Sequence, residues 1–419
     1  MTDIALSQPG AGLARGRNLG AAGIAALLLA LGALWLADTV TGRQAALFLV
    51  GGALGLVLYH ASFGFTSAFR VLIADRRGAG LRAQMVMLAV ASVLFFPVLA
   101  AGTLFGVPVK GLVSPAGVSV VAGAFLFGIG MQLGGGCASG TLFTVGGGNT
   151  RMLVTLAAFI VGSVLGAFHL PWWQALPSLG PVSLIDGLGW PAALALNLAV
   201  FAAVAGLSVL IEKRYHGRLV TDGAAGGAAG GAGARSGGLA SRLLRGPWPL
   251  VWGAVALALL NFATLALAGR PWGITSAFAL WGSKALMATG VDVASWPFWQ
   301  APANAKALQA GVLEDVTSVM DFGIILGALL AAGLAGRFAP GWRLPLRSLA
   351  AAIVGGLLLG YGSRLAFGCN IGAYFSGIAS GSLHGWVWIV AALAGNWIGT
   401  GLRPAFGLAV ERTPRLTGC

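Results

Sequence analysis

Two cysteines that each follow a glycine are the residues of this sequence best suited to chemistry. Cys137 lies in GIGMQLGGGCASGT and Cys369 lies in GYGSRLAFGCNIGAYF. A thiol is a weak hydrogen-bond donor, and its sulfur is a soft, polarizable atom. If a short helix begins just after each cysteine, its free N–H groups form a site for an anion. A soft sulfur at a helix start suits a small sulfur-bearing anion better than chloride or phosphate.

The residues around each cysteine form the candidate substrate-binding site. They are Cys137, Cys369, Gly136, Gly368, Asn370, Ser139, Gly140, Gly372 and Arg364. Several of these have an alternative explanation. A free cysteine is often only a small buried hydrophobe, Asn370 can cap a helix, and Arg364 can anchor a helix at a membrane interface.

The sequence gives no sign of a metal site or a cofactor. The 3 cysteines form no CxxC pair, and Cys419, the last residue of the sequence, is expected to be inert. The 4 histidines show no metal-ligand spacing, and no GxxxxGK[ST] motif occurs. We therefore expect no metal, no cofactor, no catalytic residue and no direct use of ATP.

The composition excludes most soluble classes of protein. Of 419 residues, 58% are hydrophobic and 9% are charged, whereas soluble domains carry roughly 25% charged residues. A cytosolic enzyme, a disordered chain and a fibrous protein are excluded, and an all-α polytopic membrane protein remains. The net charge of +14 comes from basic residues between apolar runs. Such residues orient a chain in the lipid bilayer, so we expect no nucleic-acid partner.

Apolar runs predict about ten transmembrane helices. They fall near Asn18–Leu36, Ala45–His60, Ala83–Phe105, Val118–Leu133, Met152–Phe168, Pro191–Ile211, Leu250–Ala268, Phe322–Leu334, Leu349–Tyr361 and Trp386–Leu402. Several runs are shorter than the ~20 residues that a straight crossing needs. Their interruption by glycine predicts additional re-entrant half-helices.

A Gly/Ala-rich tract divides the chain into two halves of similar size. Residues 216–246 have little to bury and read as a flexible cytoplasmic linker. The predicted organisation is an N-terminal tail with an extra first helix (1–44), a first membrane repeat (45–215), this linker, a second membrane repeat (247–410) and a C-terminal tail (411–419).

The positions of Lys and Arg predict the orientation. With both termini in the cytoplasm, most of the 25 basic residues face the cytoplasm, as the positive-inside rule favours. The stretch from Gly273 to about Asp321 must then stay on the outer side or dip in and return. An acidic cluster is expected outside, comprising Asp292, Glu314, Asp315 and Asp321.

The two halves share motifs in the same order. GFTSAF at 64–69 recurs as GITSAF at 273–278, and aligning Cys137 with Cys369 brings several glycines into register. The charge pattern places the paired motifs on opposite sides, which predicts an inverted repeat with a transport site at its interface. Glycine-rich helix packing explains the glycines alone, but not the matching cysteines. Backbone turns at membrane depth should line a polar pathway.

The segments GYGSRLAFGCNIGAYFSGIASGSLHGWVW, FGIGMQLGGGCASGTLF and FGFTSAFR resemble the YeeE/YedE sulfur-transport family over about Ala45 to Pro404. The resemblance implies a bacterial inner-membrane protein, an hourglass-shaped inverted repeat, and uptake of thiosulfate or a related sulfur or selenium compound. It implies that Cys137 and Cys369 line a narrow path. Relatives often carry Phe-Cys-Phe in the first motif, where this chain has Phe63-Gly64-Phe65, so one relay thiol is absent.

The sequence therefore favours a permease for a small sulfur-containing anion. A cytoplasmic sulfur-accepting partner protein is compatible with the resemblance, although no residue identifies one. Two alternatives stay open at this point. A membrane sulfurtransferase would carry a persulfide on one cysteine, with His384 the only histidine that closely follows a cysteine loop. A passive channel for another small solute is the other, although it does not explain the cysteines.

Overall fold

The computed structural model describes residues 18–220, 239–342 and 344–412. Within these residues, ten segments are long and apolar enough to cross a membrane. Two of the ten combine a long helix with the short helix that follows it, Gly42–Asp75 and Val118–Gly146. The chain is therefore an all-α, multi-pass membrane protein with short helices inserted between its spans.

The helices of the first half are as follows: α1 (Leu19–Thr39), α2 (Gly42–His60), α3 (Phe65–Asp75), α4 (Ala79–Ala101), α5 (Val118–Gly134), α6 (Ala138–Gly146), α7 (Thr150–Gln174), α8 (Leu184–Leu188) and α9 (Trp190–His216). The helices of the second half are α10 (Leu239–Arg245), α11 (Leu250–Ala268), α12 (Thr275–Ala288), α13 (Pro297–Gln300), α14 (Pro302–Gln309), α15 (Val316–Leu334), α16 (Leu346–Leu365), α17 (Gly377–Ala379) and α18 (Leu383–Leu402).

Shorter elements complete the described part of the chain. A π-helix spans Asn370–Ser376 and runs directly into α17, and 3₁₀ turns span Val293–Ser295, Val312–Glu314 and Arg403–Phe406. The strands are β1 (Thr103–Leu104), β2 (Val107–Pro108), β3 (Pro115–Gly117) and β4 (Ser178–Pro181). They form two small antiparallel pairs, β1 with β2 and β3 with β4.

Glycines allow the central helices to approach one another closely. A Cβ atom at Gly51 of α2 would collide with the Met320 carbonyl oxygen, and one at Gly327 of α15 would collide with the Gly52 carbonyl oxygen. A Cβ atom at Gly355 of α16 would similarly collide with the backbone of α5. Small residues are the usual means by which membrane helices pack closely.

The packing pairs of the two halves correspond. Helix α7 packs on α16 as α18 packs on α5, and α2 packs on α15 as α11 packs on α4. The outermost helices correspond as well, because α1 lies against α15 and α9 lies against α4. Both carry large exposed apolar side chains, for example Leu34 on α1 and Leu210 on α9. These side chains suit contact with lipid.

All ten predicted spans overlap helices, but one predicted boundary differs from the structure at a charged residue. The span predicted from Phe322 begins at Val316 in the structure, so Asp321 lies inside α15 and is fully buried. It does not belong to an external acidic cluster. The error has a simple cause, since hydropathy places the start of a span after the last acidic residue that precedes an apolar run.

Candidate functional site

The first cysteine lies at the start of a short helix. Helix α5 ends at Gly134, and Gly135 adopts φ +93°, a left-handed conformation that favours glycine. Two residues later Cys137 is the N-cap of α6. Its side chain is 2% exposed, and its Sγ lies 3.3 Å from Oγ of Ser139. The first turn of α6 therefore holds the thiol against a hydroxyl inside the protein.

The second cysteine lies at the start of the π-helix. Gly368 has φ +148°, and a Cβ atom there would lie 2.7 Å from the Ala373 nitrogen, so the turn requires glycine. Cys369 is the N-cap, and its Sγ accepts a hydrogen bond from the Ile371 N–H at 3.4 Å. The side chain is fully buried. A π-helix is rare and occurs frequently at functional sites.

The two cysteine turns meet in the interior of the protein. Helix α6 contacts the π-helix, and both thiols belong to one buried cluster. The two side chains lie within electrostatic range of each other. The two segments in contact are therefore the same two that align when Cys137 is matched with Cys369 in the sequence.

The glycines beside the cysteines leave room for a small ligand. Gly372 is buried, yet a Cβ atom there would meet no other atom within 4 Å. At Gly140, an added Cβ would meet only Sγ of Cys137, at 3.6 Å. Gly136 differs, because a Cβ there would press against the backbone of Gly140 at 3.1 Å. Open space therefore borders the second turn, whereas Gly136 serves the tight backbone of the first.

Asn370 does not cap a helix, which removes the alternative role considered for it. Cys369 occupies the N-cap position and Asn370 is the residue after it. The Asn370 side chain is fully buried, and within the described residues neither its oxygen nor its nitrogen has a hydrogen-bond partner. A buried amide normally has partners. This side chain can therefore supply both a donor and an acceptor to a ligand.

Arg364 lies in the last turn of α16, close to the second cysteine. Its Nη2 donates a hydrogen bond to Oγ1 of Thr275 at 2.9 Å. Its Nε is buried without a partner among the described residues, and Cys369 lies within electrostatic range. Arg364 is only partly exposed, so its guanidinium is not simply directed into water.

The corresponding residue of the first half is neutral. Gln132 lies five residues before Cys137, as Arg364 lies five residues before Cys369. Its Nε2 donates to the Thr66 carbonyl oxygen at 3.1 Å. Thr66 and Thr275 occupy the same position of the repeated TSAF motif. Each cysteine turn is thus tied to the motif of its own half by a polar side chain.

Two arginines, Arg70 and Arg403, donate hydrogen bonds to Gln132. Arg70 Nη1 donates to Oε1 of Gln132 at 3.4 Å, and Arg403 Nη1 donates to its carbonyl oxygen at 2.6 Å. Glu411 accepts two hydrogen bonds from Arg70, at 2.5 and 2.6 Å. Burial alone would raise the pKa of Glu411, but the hydrogen bonds and charge of Arg70 outweigh it and the net pKa is lowered. The carboxylate therefore stays ionised and neutralises Arg70.

Another arginine has a structural role. Arg151 donates hydrogen bonds to the carbonyl oxygens of Leu133 and Gly134, at 2.6 and 2.7 Å. These are carbonyls at the end of α5, which a helix leaves without intrahelical partners. Arg151 therefore stabilises the helix end that leads into the first cysteine turn.

Gly64 lies at the position where the family resemblance implies a third cysteine. Gly64 is the N-cap of α3, and a Cβ atom there would lie 2.6 Å from Oγ of Ser67. A cysteine at this position would require Ser67 to move. The first motif of this chain is therefore fitted to glycine.

The structure adds two polar residues that the sequence did not assign to the site. Tyr374 of the π-helix contacts the rings of Phe65 and Phe69 and stacks on Trp388. Its hydroxyl and the carboxylate of Asp321 are both buried without a hydrogen-bond partner among the described residues. Asp321 could have been found from sequence as an acidic residue five places inside a helix. Tyr374 carries no such signal.

A cavity of about 260 Å³ lies close to the second turn. Phe367, which directly precedes the Gly368–Cys369 pair, contributes to its wall. The end of α7, the segment of the β3–β4 pair and the start of α5 supply the rest of the lining, including Trp173, Ser178 and Ser119. Elsewhere, no group of three or more His, Cys, Asp or Glu side chains in the described residues is arranged to hold a metal.

Fold and site together define a multi-pass helical membrane protein with two buried thiols at the starts of two short helices that meet in its core. The family model for sulphur transport matches residues 60–398. The chain belongs to this sulphur transport family.

Three relatives illustrate the family. The thiosulfate transporter TsuA of Spirochaeta thermophila is 27% identical over 368 residues, which cover 83% of this chain and 96% of the relative. The thiosulfate transporter TsuA of Escherichia coli is 25% identical over 83% of this chain and 91% of its own length. The probable transporter YedE of Escherichia coli is 30% identical, but the match covers only 40% of its length and 39% of this chain.

Proposed function

We propose that this protein is a membrane transporter for uptake of a small sulfur-containing anion of the thiosulfate type. The observation that carries the proposal is the presence of two buried thiols, Cys137 and Cys369, at the starts of two short helices that contact each other. Two relatives that match most of the chain are named thiosulfate transporters. The family match supports transport of sulfur compounds in general.

The proposed passage needs no covalent chemistry. Arg364 attracts the anion on the outer side, and the Cys369 thiol with the free amide of Asn370 binds it inside the protein. The anion then passes to Cys137 and Ser139 across the contact between the π-helix and α6. Thiols and amides donate hydrogen bonds to an anion, and sulfur is a soft contact for a sulfur-bearing ligand.

In this proposal the two halves form an inverted repeat, so that one cysteine turn serves each side of the membrane. The corresponding helix pairs and the matched contacts Gln132–Thr66 and Arg364–Thr275 support a repeat. If the ten candidate spans alternate in direction, both termini lie on one side, and the proposed repeat has its two cysteine turns entering the membrane core from opposite sides. The positive-inside rule then favours a cytoplasmic location for the termini, and the bacterial relatives support a bacterial inner membrane as the setting.

Reporter fusions test this topology. Fusions after Arg82 and at the C-terminus should report the cytoplasm, and a fusion near Ala303 should report the outer side. A fusion within the predicted linker at Gly230, which lies outside the described residues, should also report the cytoplasm. A cytoplasmic signal at Ala303 would place both cysteine turns on one side and end the inverted-repeat proposal.

The sulfurtransferase alternative lacks its activating base. His384 Nδ1 lies 2.7 Å from Oγ of Ser382, and among the described contacts neither ring nitrogen bonds a cysteine. A nucleophilic cysteine normally has a base within hydrogen-bond reach. The geometry therefore favours a permease over an enzyme. A cytoplasmic protein that accepts the sulfur compound stays part of the proposal.

Uptake by proteoliposomes tests the function directly. Purified protein is reconstituted and given labelled thiosulfate, with sulfate, sulfite and selenium analogues as competitors. We expect uptake above that of empty vesicles and competition by sulfur or selenium compounds that present a soft terminal atom. Uptake equal to that of empty vesicles, with correct insertion verified by protease protection, would contradict the proposal.

A further inference from the structure

Asp321 is an ionisable residue buried at membrane depth. It lies in α15 and has no solvent-exposed surface. Both of its carboxylate oxygens lack a hydrogen-bond partner among the described residues. Ionisable residues within transmembrane segments are costly, and they commonly mark an ion or proton pathway. The role proposed for the cysteine turns does not use this residue.

Asp321 lies on the side of α15 that faces the first cysteine helix. A Cβ atom at Gly146 of α6 would collide with the Ile325 carbonyl oxygen. Ile325 is four residues after Asp321 and therefore on the same face of α15. The Cys369 side chain lies within electrostatic range of Asp321. The carboxylate thus lies on the side of α15 that faces α6 and within electrostatic range of the second cysteine turn, which belongs to the proposed path of the anion.

The nearest polar side chains of its own helix have other partners. Thr317 Oγ1 accepts hydrogen bonds from Arg270 and Ser276, both at 3.0 Å. Ser318 Oγ accepts from Trp281 Nε1 and donates to Asp315, at 2.9 and 2.7 Å. These groups form a polar turn at the start of α15.

The charged and titratable groups around Asp321 leave it without an ion pair. Asp315 and Cys369 are within electrostatic range, and Asp315 has the same sign of charge. Lys284 of α12 instead donates to the carbonyl oxygens of Leu308 and Ala310. Other charged or titratable residues lie on the elements packed against α15, and α6 has none. They are Asp38, Arg43, Tyr59, His60, Arg242, Arg245 and Glu314.

Two physical facts follow from this placing. An ionised carboxylate without a partner is expensive in a water-poor interior. It would also repel an anion beside it, whereas a protonated carboxyl is neutral and can donate a hydrogen bond. Occupation of the path by an anion therefore favours the protonated form of Asp321, and departure of the anion removes that preference.

We propose that Asp321 binds a proton together with each anion, which makes the protein a proton-coupled symporter. The proton comes from the outer aqueous phase, converts the carboxylate to a carboxyl, and returns to water on the cytoplasmic side. No bond other than O–H forms or breaks, and nothing is oxidised. The inference rests on the proposed uptake of an anion. It also reduces the negative charge that uptake must move toward a negative interior.

Proton flux during uptake tests the proposal. Proteoliposomes enclosing a pH-sensitive dye receive an inward thiosulfate gradient with no initial pH difference. Wild-type protein should acidify the lumen while labelled thiosulfate enters, and a lower external pH should accelerate uptake. In Asp321→Asn, gradient-driven acidification should fall by about tenfold or more. Exchange of internal for external thiosulfate should continue, because the neutral amide does not repel the anion.

The control is Asp38→Asn, which makes the same change at an exposed residue of α1 and should acidify like wild type. Thiosulfate uptake by wild type without acidification would overturn the proton coupling and leave the proposed transport intact. Wild-type acidification rates in Asp321→Asn would also overturn it. Absence of all thiosulfate uptake by wild type would contradict the proposed function, and the coupling with it.

A further variant decides the matter if Asp321→Asn does not insert. Asp321→Glu keeps the carboxylate but displaces it by one methylene. We expect it to retain proton flux with a shifted dependence on external pH. A pH dependence identical to that of wild type would show that the carboxylate does not set the coupling.

Discussion

The two cysteine turns have the same plan and different electrostatics. In each, a long helix ends, glycine turns the chain, and a cysteine caps a short helix. The first turn is tied to its motif by neutral Gln132, which lies beside a neutralised Arg70. The second is tied by Arg364, whose Nε is buried and unpaired among the described residues.

In the proposed transport, this difference between the two turns favours one direction of movement. The second turn has a cation with unused bonding capacity and a free amide, Asn370, so it is suited to capture an anion. At the first turn, Glu411 neutralises Arg70, and the neighbouring Arg403 and Arg151 donate to backbone carbonyl oxygens, so an anion is held less strongly there. Capture at one end and weak retention at the other suit uptake.

Removing both thiols should have the largest effect. We expect Cys137→Ala/Cys369→Ala to lower thiosulfate uptake about 10- to 100-fold at normal membrane abundance. Each of the two substitutions removes a buried hydrogen-bond donor and a soft contact for the anion. The measurement is initial uptake in proteoliposomes. Cys419→Ala, outside the described residues, is the control and should behave like wild type.

Serine variants sharpen the result for each turn. Cys→Ser keeps a donor of similar size but removes the sulfur. Retained uptake would indicate passage by hydrogen bonding, whereas lost uptake would indicate a sulfur-specific contact. Uptake at the wild-type rate in the double alanine variant would eliminate the cysteine site and leave both thiols as packing residues.

Neutralising Arg364 should have the next largest effect and would make the second turn resemble the first. Arg364→Gln is expected to raise the apparent KM for thiosulfate about tenfold, since a charge-assisted contact is lost. The rise should diminish at high salt, where wild-type attraction is screened.

Two controls separate charge from anchoring. Thr275→Val removes the hydrogen-bond partner of Arg364 but keeps the guanidinium, and it should change KM much less. Arg347→Gln removes an exposed charge from the same helix and should be nearly silent. An equal rise of KM in Thr275→Val and Arg364→Gln would show that Arg364 serves mainly to hold the two elements together.

The sequence predicted the membrane architecture well because apolar runs of sufficient length have few other outcomes. It did not predict α3 and α12 as helices, since these short segments contain polar residues and are enclosed by other helices. The register of the two cysteines was readable because cysteine is rare in this sequence, with 3 in 419 residues, and several glycines align once the two cysteines are matched. Pairing them in space required the tertiary contact between α6 and the π-helix.

The polar neighbours of the cysteines were less predictable for a physical reason. Arg364 and Thr275 are 89 residues apart in the sequence, and their contact depends on how α16 meets α12. Sequence alone left Arg364 equally compatible with an interfacial anchor. Asp321 was misplaced because hydropathy treats any acidic residue as a boundary, whereas burial of a charge is decided by its surroundings.

Freeing Arg70 should have a smaller effect at the opposite end. In Glu411→Gln, Arg70 is no longer neutralised, so we expect anion release and Vmax to fall about two- to fivefold, in keeping with a half-exposed ion pair. The lowered pKa of Glu411 keeps it ionised across neutral pH. The difference between wild type and variant should therefore be constant there, and should vanish only as the pH falls through this lowered pKa.

Adding Arg70→Gln to Glu411→Gln completes this test. The double variant has neither charge, so its Vmax should return toward that of wild type. A Vmax that stays low in the double variant would show that the pair stabilises the fold at this end of the molecule. Thermal unfolding of both variants, measured in the same detergent, checks that reading independently.

The smallest effect is expected from the tract that joins the two halves. Shortening Ala224–Ala234, which lies outside the described residues, should leave uptake nearly unchanged, because its Gly/Ala composition predicts a flexible connection and the entropy of such a connection depends weakly on its length. The halves already hold each other through α5, α7, α16 and α18, so the tether does not have to position them. The control is a tract of the original length with its alanines changed to serine. Complete loss of uptake at normal abundance in the shortened variant alone would show that the separation of the halves changes during transport. The comparison of the two turns would then have to include a movement between them.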